Sequence, residues 1–366
     1  MVKEAISKLN KLKKLIEKYD WLLAIVISLA VIAVGFFIGW YNNKIIPTYG
    51  NPHFLTISSN PLKILSNWDG PDYISIAQHG YVLAKNTSFF PLYPILIRAF
   101  HYVFRSYLWS GLIVSWTFMV GAIYYYLQIA KEIKIVDTKL DSFKALVVFI
   151  FMPTGVFLFA AYGMSLVCMI GLASVYFSLK KKWYFSAILL ALAAAAHPLG
   201  VVFIIFDAFI LLSKKVSLSK IVGTIVGGCL GLIGYMIYLY FAFNNALSFV
   251  KEQQNVHGWM AGHYLTLITS TNFFNALFFV LVVLSVIYFI KKNPSFSLFS
   301  ALFLLIPIIG GQWGGFNRYI LIDFTIPLMI YDYLKNKAYL YTSTVILLVI
   351  FWTYTLLQYT GGYIGS

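Results

Sequence analysis

The sequence predicts an all-α protein that crosses a membrane many times, and three observations carry that prediction. Of the 366 residues, 61% are hydrophobic and only 11% charged, a balance foreign to soluble domains of this size. The apolar residues fall in runs close to the roughly 20 residues that a helix needs to cross the hydrocarbon core. The basic residues fall in short clusters between those runs. The net charge of +15 therefore marks membrane topology and excludes a nucleic-acid surface, which needs a basic face on a soluble domain.

The first element is "MVKEAISKLNKLKKLIEKYD", residues 1 to 20. Ile6, Leu9, Leu12 and Ile16 recur at helical spacing among lysines, the pattern of an amphipathic helix lying on an anionic cytoplasmic leaflet. The segment is too charged for a signal-peptide core, and it is expected to be retained.

Spans are then predicted near 21 to 41, 108 to 130, 145 to 162, 164 to 179, 184 to 197, 199 to 213, 221 to 243, 272 to 290, 296 to 310, 319 to 334 and 339 to 360, about eleven in all. The shorter ones are tolerated where a bundle packs around them. From a cytoplasmic N-terminus, alternation places 1 to 20, 131 to 144, 180 to 182, 214 to 220, 291 to 295 and 335 to 338 inside. These six segments carry 20 of the 27 Lys and Arg residues, as the positive-inside rule requires. Residues 21 to 366 read as one transmembrane domain. The fifth and sixth spans, divided at "AAHPLG", either cross fully or form a re-entrant pair, with Pro198 and Gly200 supplying the turn. No internal repeat is visible, which disfavours an inverted-repeat transporter. Cys168 and Cys229 lie inside apolar runs and form neither a disulfide framework nor a metal-binding spacing.

Two segments, 42 to 107 and 244 to 271, are too polar to cross and too long to be connectors. Both fall on the extracytoplasmic side, and long loops on a rigid scaffold are where function concentrates. The outer loops contain only three carboxylates, Asp69, Asp72 and Glu252, while His53, His79, His101, His197, His257 and His263 all lie on that side or at its edge.

Asp69 sits in "NWDGPDYISIAQHGY", ahead of "SFFPLYPIL". Aromatic and proline neighbours suit a rigid, partly dry cavity in which a carboxylate acts as general base. The same position also suits a helix N-cap, and the alternative is stronger for Asp72, directly before "YISIAQ". Arg318 follows "GGQWGGFN", at a depth where a guanidinium meets an anion or snorkels to headgroups. His197, at a Pro-bounded helix end, either binds phosphate or caps the helix. Asp207, six residues before Lys214 and Lys215, is expected at the interface, and Asp323 has no partner on its own helix. The histidines show no HxxxH or HxH pair, so no metal site is expected. "GGQWGG" lacks the Lys-Ser/Thr of a nucleotide loop, and Asn86-Thr87-Ser88 is a glycosylation sequon on the outer side.

The stretch "WDGPDYISIAQHGY" with "SFFPLYPIL" resembles the first extracytoplasmic loop of the PIG-V-like mannosyltransferases, a branch of the GT-C superfamily of polyprenol-phosphate-sugar-dependent glycosyltransferases. Their pattern there is W-D-A/G-x-x-Y, I-A-x-x-G-Y and F-F-P-x-Y/F-P. "MPTGVFLFAAYGMSL", "LALAAAAHPLGVVF" and "NRYILIDFTIPLMI" are similar to later family motifs in the same order, and "FVKEQQNVHGW" is loosely similar to a Gln and Trp loop. Three positions depart from the pattern. Gly163-Met164 stands where the family has an acidic residue, His197 where it has arginine, and Asp72 where an aromatic or His is common.

The resemblance implies a GT-C-like bundle that takes a polyprenyl or dolichyl phosphate sugar, with mannose as the sugar. The head group would lie outside and the tail between spans, with transfer by inversion to a glycan or glycolipid hydroxyl. It maps the base onto Asp69 and the donor phosphate onto Arg318 and His197. Trp68, Asp72, Tyr73, His79, Tyr81, Gln254 and Trp259 then line the pocket. No metal and no cofactor besides the lipid-linked donor are implied. The membrane would be the plasma membrane of a prokaryote or the endoplasmic reticulum of a eukaryote. A phosphate leaving group needs charge stabilisation more than a proton, so one base and one cation suffice where a glycosidase needs two carboxylates. A lipid-linked glycan flippase and a non-catalytic subunit of a glycosylation complex are the other readings.

Overall fold

A computed structural model describes residues 19–45, 60–257, 273–310, 313 and 315–362. The described residues are 83% helix, and no strand occurs among them. In chain order the helices are α1 (Asp20–Ile45), α2 (Asp69–His79), α3 (Leu92–Phe104), α4 (Tyr107–Glu132), α5 (Lys139–Ile150), α6 (Met164–Leu179), α7 (Trp183–Ala196) and α8 (Gly200–Ser213). They continue with α9 (Leu218–Phe243), α10 (Ser248–His257), α11 (Phe273–Lys292), α12 (Pro294–Gly310), α13 (Phe316–Tyr319), α14 (Thr325–Leu334) and α15 (Ala338–Gly361).

Five of these, α1, α4, α9, α11 and α15, are long and apolar enough to cross a membrane, while α3, α6, α7, α8 and α12 are shorter apolar helices. Burial varies widely among them. Helix α6 is buried along nearly its whole length, packed between α4, α7 and α8. Helices α1, α9 and α11 turn large apolar side chains outward, including Phe37, Phe241 and Ile287, as a lipid-facing surface does. In lipid, helices associate through close packing of small residues. The contact of α9 with α7 depends on this, since a Cβ at Gly231 would lie 1.8 Å from the Ala191 carbonyl oxygen.

Two of the predicted spans are interrupted. The third, predicted over 145 to 162, ends as a helix at Ile150. Pro153 has no N–H and pushes Met152 out of helical geometry. The chain then runs irregularly, with a 3₁₀ turn at Gly155–Leu158, through residues that are almost all buried. The tenth, predicted over 319 to 334, is split into α13, a 3₁₀ turn at Ile320–Ile322, and α14. Pro327 cannot donate to the Asp323 carbonyl. The Asp323 carboxylate instead accepts from the Thr325 N–H at 3.2 Å and the Thr325 hydroxyl at 2.5 Å.

Side-chain bonds mark the two ends of the bundle. At one end Asp20 pairs with Lys131 and Lys139, each at 2.5 Å, Lys180 with Glu132, and Asp332 with Lys292 and Lys335. Thr138 and Asp141 form a capping box that starts α5 there. At the other end Asn42 donates to the Thr360 hydroxyl at 3.1 Å, fastening α1 to α15. This second end carries the candidate site. The segment predicted as a loop over 42 to 107 holds α2 and α3 in its described part.

Candidate active site

The site begins at a turn, Asn67–Trp68–Asp69, locked from two sides. The Asn67 N–H donates to the Tyr359 phenol oxygen at 3.1 Å, and the Asn67 amide nitrogen donates to the Tyr359 carbonyl at 3.1 Å. The Asp69 N–H donates to the Tyr162 phenol oxygen at 2.9 Å. Between them Trp68 takes φ 61° and ψ −114°, a conformation that costs a bulky residue about 1–3 kcal/mol. The turn needs Gly70, because a Cβ there would lie 2.7 Å from the Ser66 hydroxyl oxygen.

Helix α2 starts at Asp69, with Trp68 as its N-cap and no side-chain capping bond. The N-cap alternative for Asp69 therefore fails. Its carboxylate is turned instead to Arg318, whose Nη1 donates to Oδ2 in an ion pair. The two side chains are 28% and 16% exposed respectively, so the pair is reachable yet mostly dry. The guanidinium carbon stands 6.0 Å from the Phe157 ring and 5.9 Å from the Tyr162 ring, within cation–π range. Arg318 Nε is buried with no hydrogen-bond partner among the described residues. A buried guanidinium N–H without an acceptor is costly, and here it is an unspent donor beside the carboxylate.

Aromatic side chains wall the pair. The Tyr73 ring meets Phe89 and Tyr93 edge to face at 5.0 Å each and Tyr162 at 6.4 Å. Burial, and after it the Asp69 charge, hold the Tyr73 phenol well above its ordinary range, so it stays protonated. Tyr162 is fixed in turn. Ser115 donates to its carbonyl at 3.2 Å and contacts the Tyr93 hydroxyl at 2.8 Å, and Tyr93 donates to the Gly111 carbonyl at 3.0 Å.

The predicted site residues divide in space. Asp69, Trp68, Asp72 and Tyr73 share the first turns of α2, and Arg318 joins them from α13. His197 lies beside this group, its ring 5.4 Å from that of Tyr319. Its Nδ1 accepts from the Leu199 N–H at 3.2 Å, so a neutral ring carries its proton on Nε2. His79 is exposed at the far end of α2. At a rise of about 1.5 Å per residue, that puts it roughly 15 Å along the helix from Asp69. Tyr81 belongs to a different cluster, with Tyr235 at 5.8 Å and Tyr238 at 5.7 Å, and its hydroxyl donates to the Phe89 carbonyl. Gln254 is exposed on α10, and Trp259 lies outside the described residues. Helix α2 thus carries His79 and Tyr81 away from the ion pair, and no bond joins Gln254 to it among the described residues.

Other readings also change. Asp207 is fully buried within the bundle, its Oδ2 accepting from Ser178 at 3.1 Å and Ser186 at 2.7 Å. Asn86 of the sequon is only 6% exposed. Asp323 has one partner across the bundle, Ser300, beside its local partner Thr325. The sequence reading passed over Tyr162 and Tyr359. Tyr162 stood inside the quoted "FAAYG", whereas nothing local distinguishes Tyr359 from its aromatic neighbours.

A search of curated proteins finds no match to the chain. A family model described as Mannosyltransferase (PIG-V) matches residues 51–247, more than half of the chain. The matched region takes in the Asn67–Asp69 turn, Tyr162 and His197, and ends before Arg318. On that match, and with membrane-length helices around a carboxylate and guanidinium at one end, the chain belongs to the PIG-V mannosyltransferase family.

Proposed function

We propose that the protein moves a mannose from a polyprenyl phosphate donor to an acceptor hydroxyl, with inversion, at the extracytoplasmic face of a GT-C-like bundle. The bundle comprises about eleven membrane-embedded segments in one domain. Lysine clusters mark its cytoplasmic side, and the long loop before α4 lies outside. The membrane is the plasma membrane or, in a eukaryote, the endoplasmic reticulum. The observation that carries the reading is the pairing of Asp69 with Arg318 inside an aromatic wall, with Arg318 Nε left over as a donor.

In this reading the acceptor oxygen attacks the anomeric carbon from the face opposite the phosphate. The bond from that carbon to the phosphate oxygen breaks, polyprenyl phosphate leaves, and the acceptor proton passes to Asp69. Arg318 takes the charge that develops on the leaving phosphate, where a fixed cation in a dry site acts most strongly. The Nε2–H of His197 is available as a second, neutral donor to the same phosphate. No metal or cofactor besides the lipid donor takes part.

The ion pair gives an order of events. With no donor bound, Arg318 neutralises Asp69 and blunts it as a base. A donor phosphate draws Arg318 onto itself and frees the carboxylate for the acceptor, so the base is released only when the sugar is in place.

Mass spectrometry of the product formed from polyprenyl phosphate mannose and a panel of glycan and glycolipid acceptors tests the reading, with Asp69→Asn as its control. The expected result is a mannosylated product with wild-type protein and none with Asp69→Asn. The variant should bind polyprenyl phosphate more tightly than wild type, since Arg318 no longer has a competing carboxylate. A folded Asp69→Asn protein that still transfers mannose would remove the base assignment. Lipid movement across a vesicle membrane without product would favour a flippase.

A further inference from the structure

Asp69 is aimed by a backbone conformation that its own sequence disfavours, and one side chain bonds directly to that backbone while also bordering the cation. Tyr162 accepts the Asp69 N–H at 2.9 Å and presents its ring to Arg318 at 5.9 Å. It is buried, its carbonyl is held by Ser115, and its ring packs edge to face on Phe157 at 5.1 Å and Tyr359 at 6.0 Å. Asp69 therefore inherits its orientation from the irregular 151–163 segment.

We propose that Tyr162 is a positioning residue for the transfer, its phenol setting the aim of the Asp69 carboxylate and its ring setting the place of the Arg318 guanidinium. The proposal rests on Asp69 acting as the base. Tyr359 supports the same turn two residues earlier, through a phenol that accepts from the Asn67 N–H and donates to the Asn67 carbonyl at 3.3 Å. The chemistry divides Tyr162 into two separable parts. The oxygen governs where the carboxylate points when the acceptor proton leaves, so it acts on turnover. The ring governs how the guanidinium meets the phosphate, so it acts on donor binding.

The test compares Tyr162→Phe and Tyr162→Leu in the full-length protein, with kcat and the donor KM measured separately and thermal stability measured alongside. Tyr162→Phe keeps the ring and loses the oxygen. Its kcat should fall about fivefold, the loss of one hydrogen bond's effect on geometry, with donor KM unchanged. Tyr162→Leu should show the same fall in kcat and, in addition, a raised donor KM. Tyr359→Phe, which loosens the same turn at Asn67, should lower kcat in the same direction at unchanged KM, and it serves if either Tyr162 variant fails to fold. Wild-type kcat in folded Tyr162→Phe overturns the proposal. So does a loss of rate that merely follows the loss of folded protein, or a donor KM that rises equally in Phe and Leu. If Asp69→Asn stays active, the base reading falls and the proposal falls with it. If Asp69→Asn is dead while Tyr162→Phe turns over normally, only the positioning role falls.

Discussion

Asp69 and Asp207 are both carboxylates in a strongly apolar chain, and the protein solves their burial in opposite ways. Asp69 faces a cation, keeps 28% of its side chain exposed, and stands in a strained turn held by two tyrosines distant in sequence, Tyr162 and Tyr359. Asp207 is fully buried among neutral hydroxyls, with Ser178 and Ser186 on Oδ2, each from a neighbouring helix, and no partner on Oδ1 among the described residues. A carboxylate buried without a nearby cation is costly when charged, whereas one that faces a guanidinium keeps its charge. The first arrangement preserves a reactive group at an accessible place. The second ties three helices together and exposes nothing to a substrate.

The sharpest way to break that contrast is Asp69→Asn. The amide keeps the shape of the site and removes the base, so turnover should fall by about 10²- to 10⁴-fold, the usual weight of general base catalysis, while the protein still melts cooperatively. Arg318→Lys follows. A lysine keeps the charge but loses the planar fork and the contact with the Phe157 and Tyr162 rings, so the donor KM should rise at least about tenfold, the cost of one charge-assisted hydrogen bond. Asp207→Asn is the counterpart. Its oxygen can still accept from Ser178 and Ser186, so turnover per folded molecule should match wild type. A loss as deep as that of Asp69→Asn would erase the distinction between the two carboxylates.

Much of the fold, though little of this contrast, was legible in the sequence. Apolar runs and lysine clusters located the helices, because length and charge are local properties that the bilayer constrains directly. The breaks were misread where apolar composition is common to a helix and to a buried irregular segment. Pro153 and Pro327 were the visible cues, and in both places the chain stops being a regular helix near the proline. Asp69 and Arg318 each stood out as an isolated charge, but their pairing joins residues 249 positions apart, which no local pattern reports. Tyr359 reaches Asn67 across 292 positions, and one more tyrosine in an aromatic helix carries no signal of that contact. The assignment of His79 and Tyr81 to the pocket followed from the family motif, which continues from Asp69 along the sequence to Tyr81. A helix undoes that continuity, because eleven residues carry the chain away from the turn where it started.

The ion pairs at the other end of the bundle supply the smallest expected effect and the cleanest control for the role of charge. Asp20 there also meets cations, Lys131 and Lys139 at 2.5 Å each, and accepts from Gln128 at 2.9 Å. The lysines are 31% and 38% exposed, and their long stems are free to solvate their own charge. Replacing Lys131 with Met leaves Asp20 with Lys139 and Gln128, so stability should change by only about 0–1 kcal/mol, the range of exposed pairs. Transfer should not change at all, because no bond described here links this cluster to the Asn67–Asp69 turn. Measuring both quantities in Lys131→Met and Arg318→Lys side by side separates the two kinds of ion pair. A fall in turnover from Lys131→Met would mean that any charge lost from the bundle disturbs the site, and the special standing of the Asp69 and Arg318 pair would go with it.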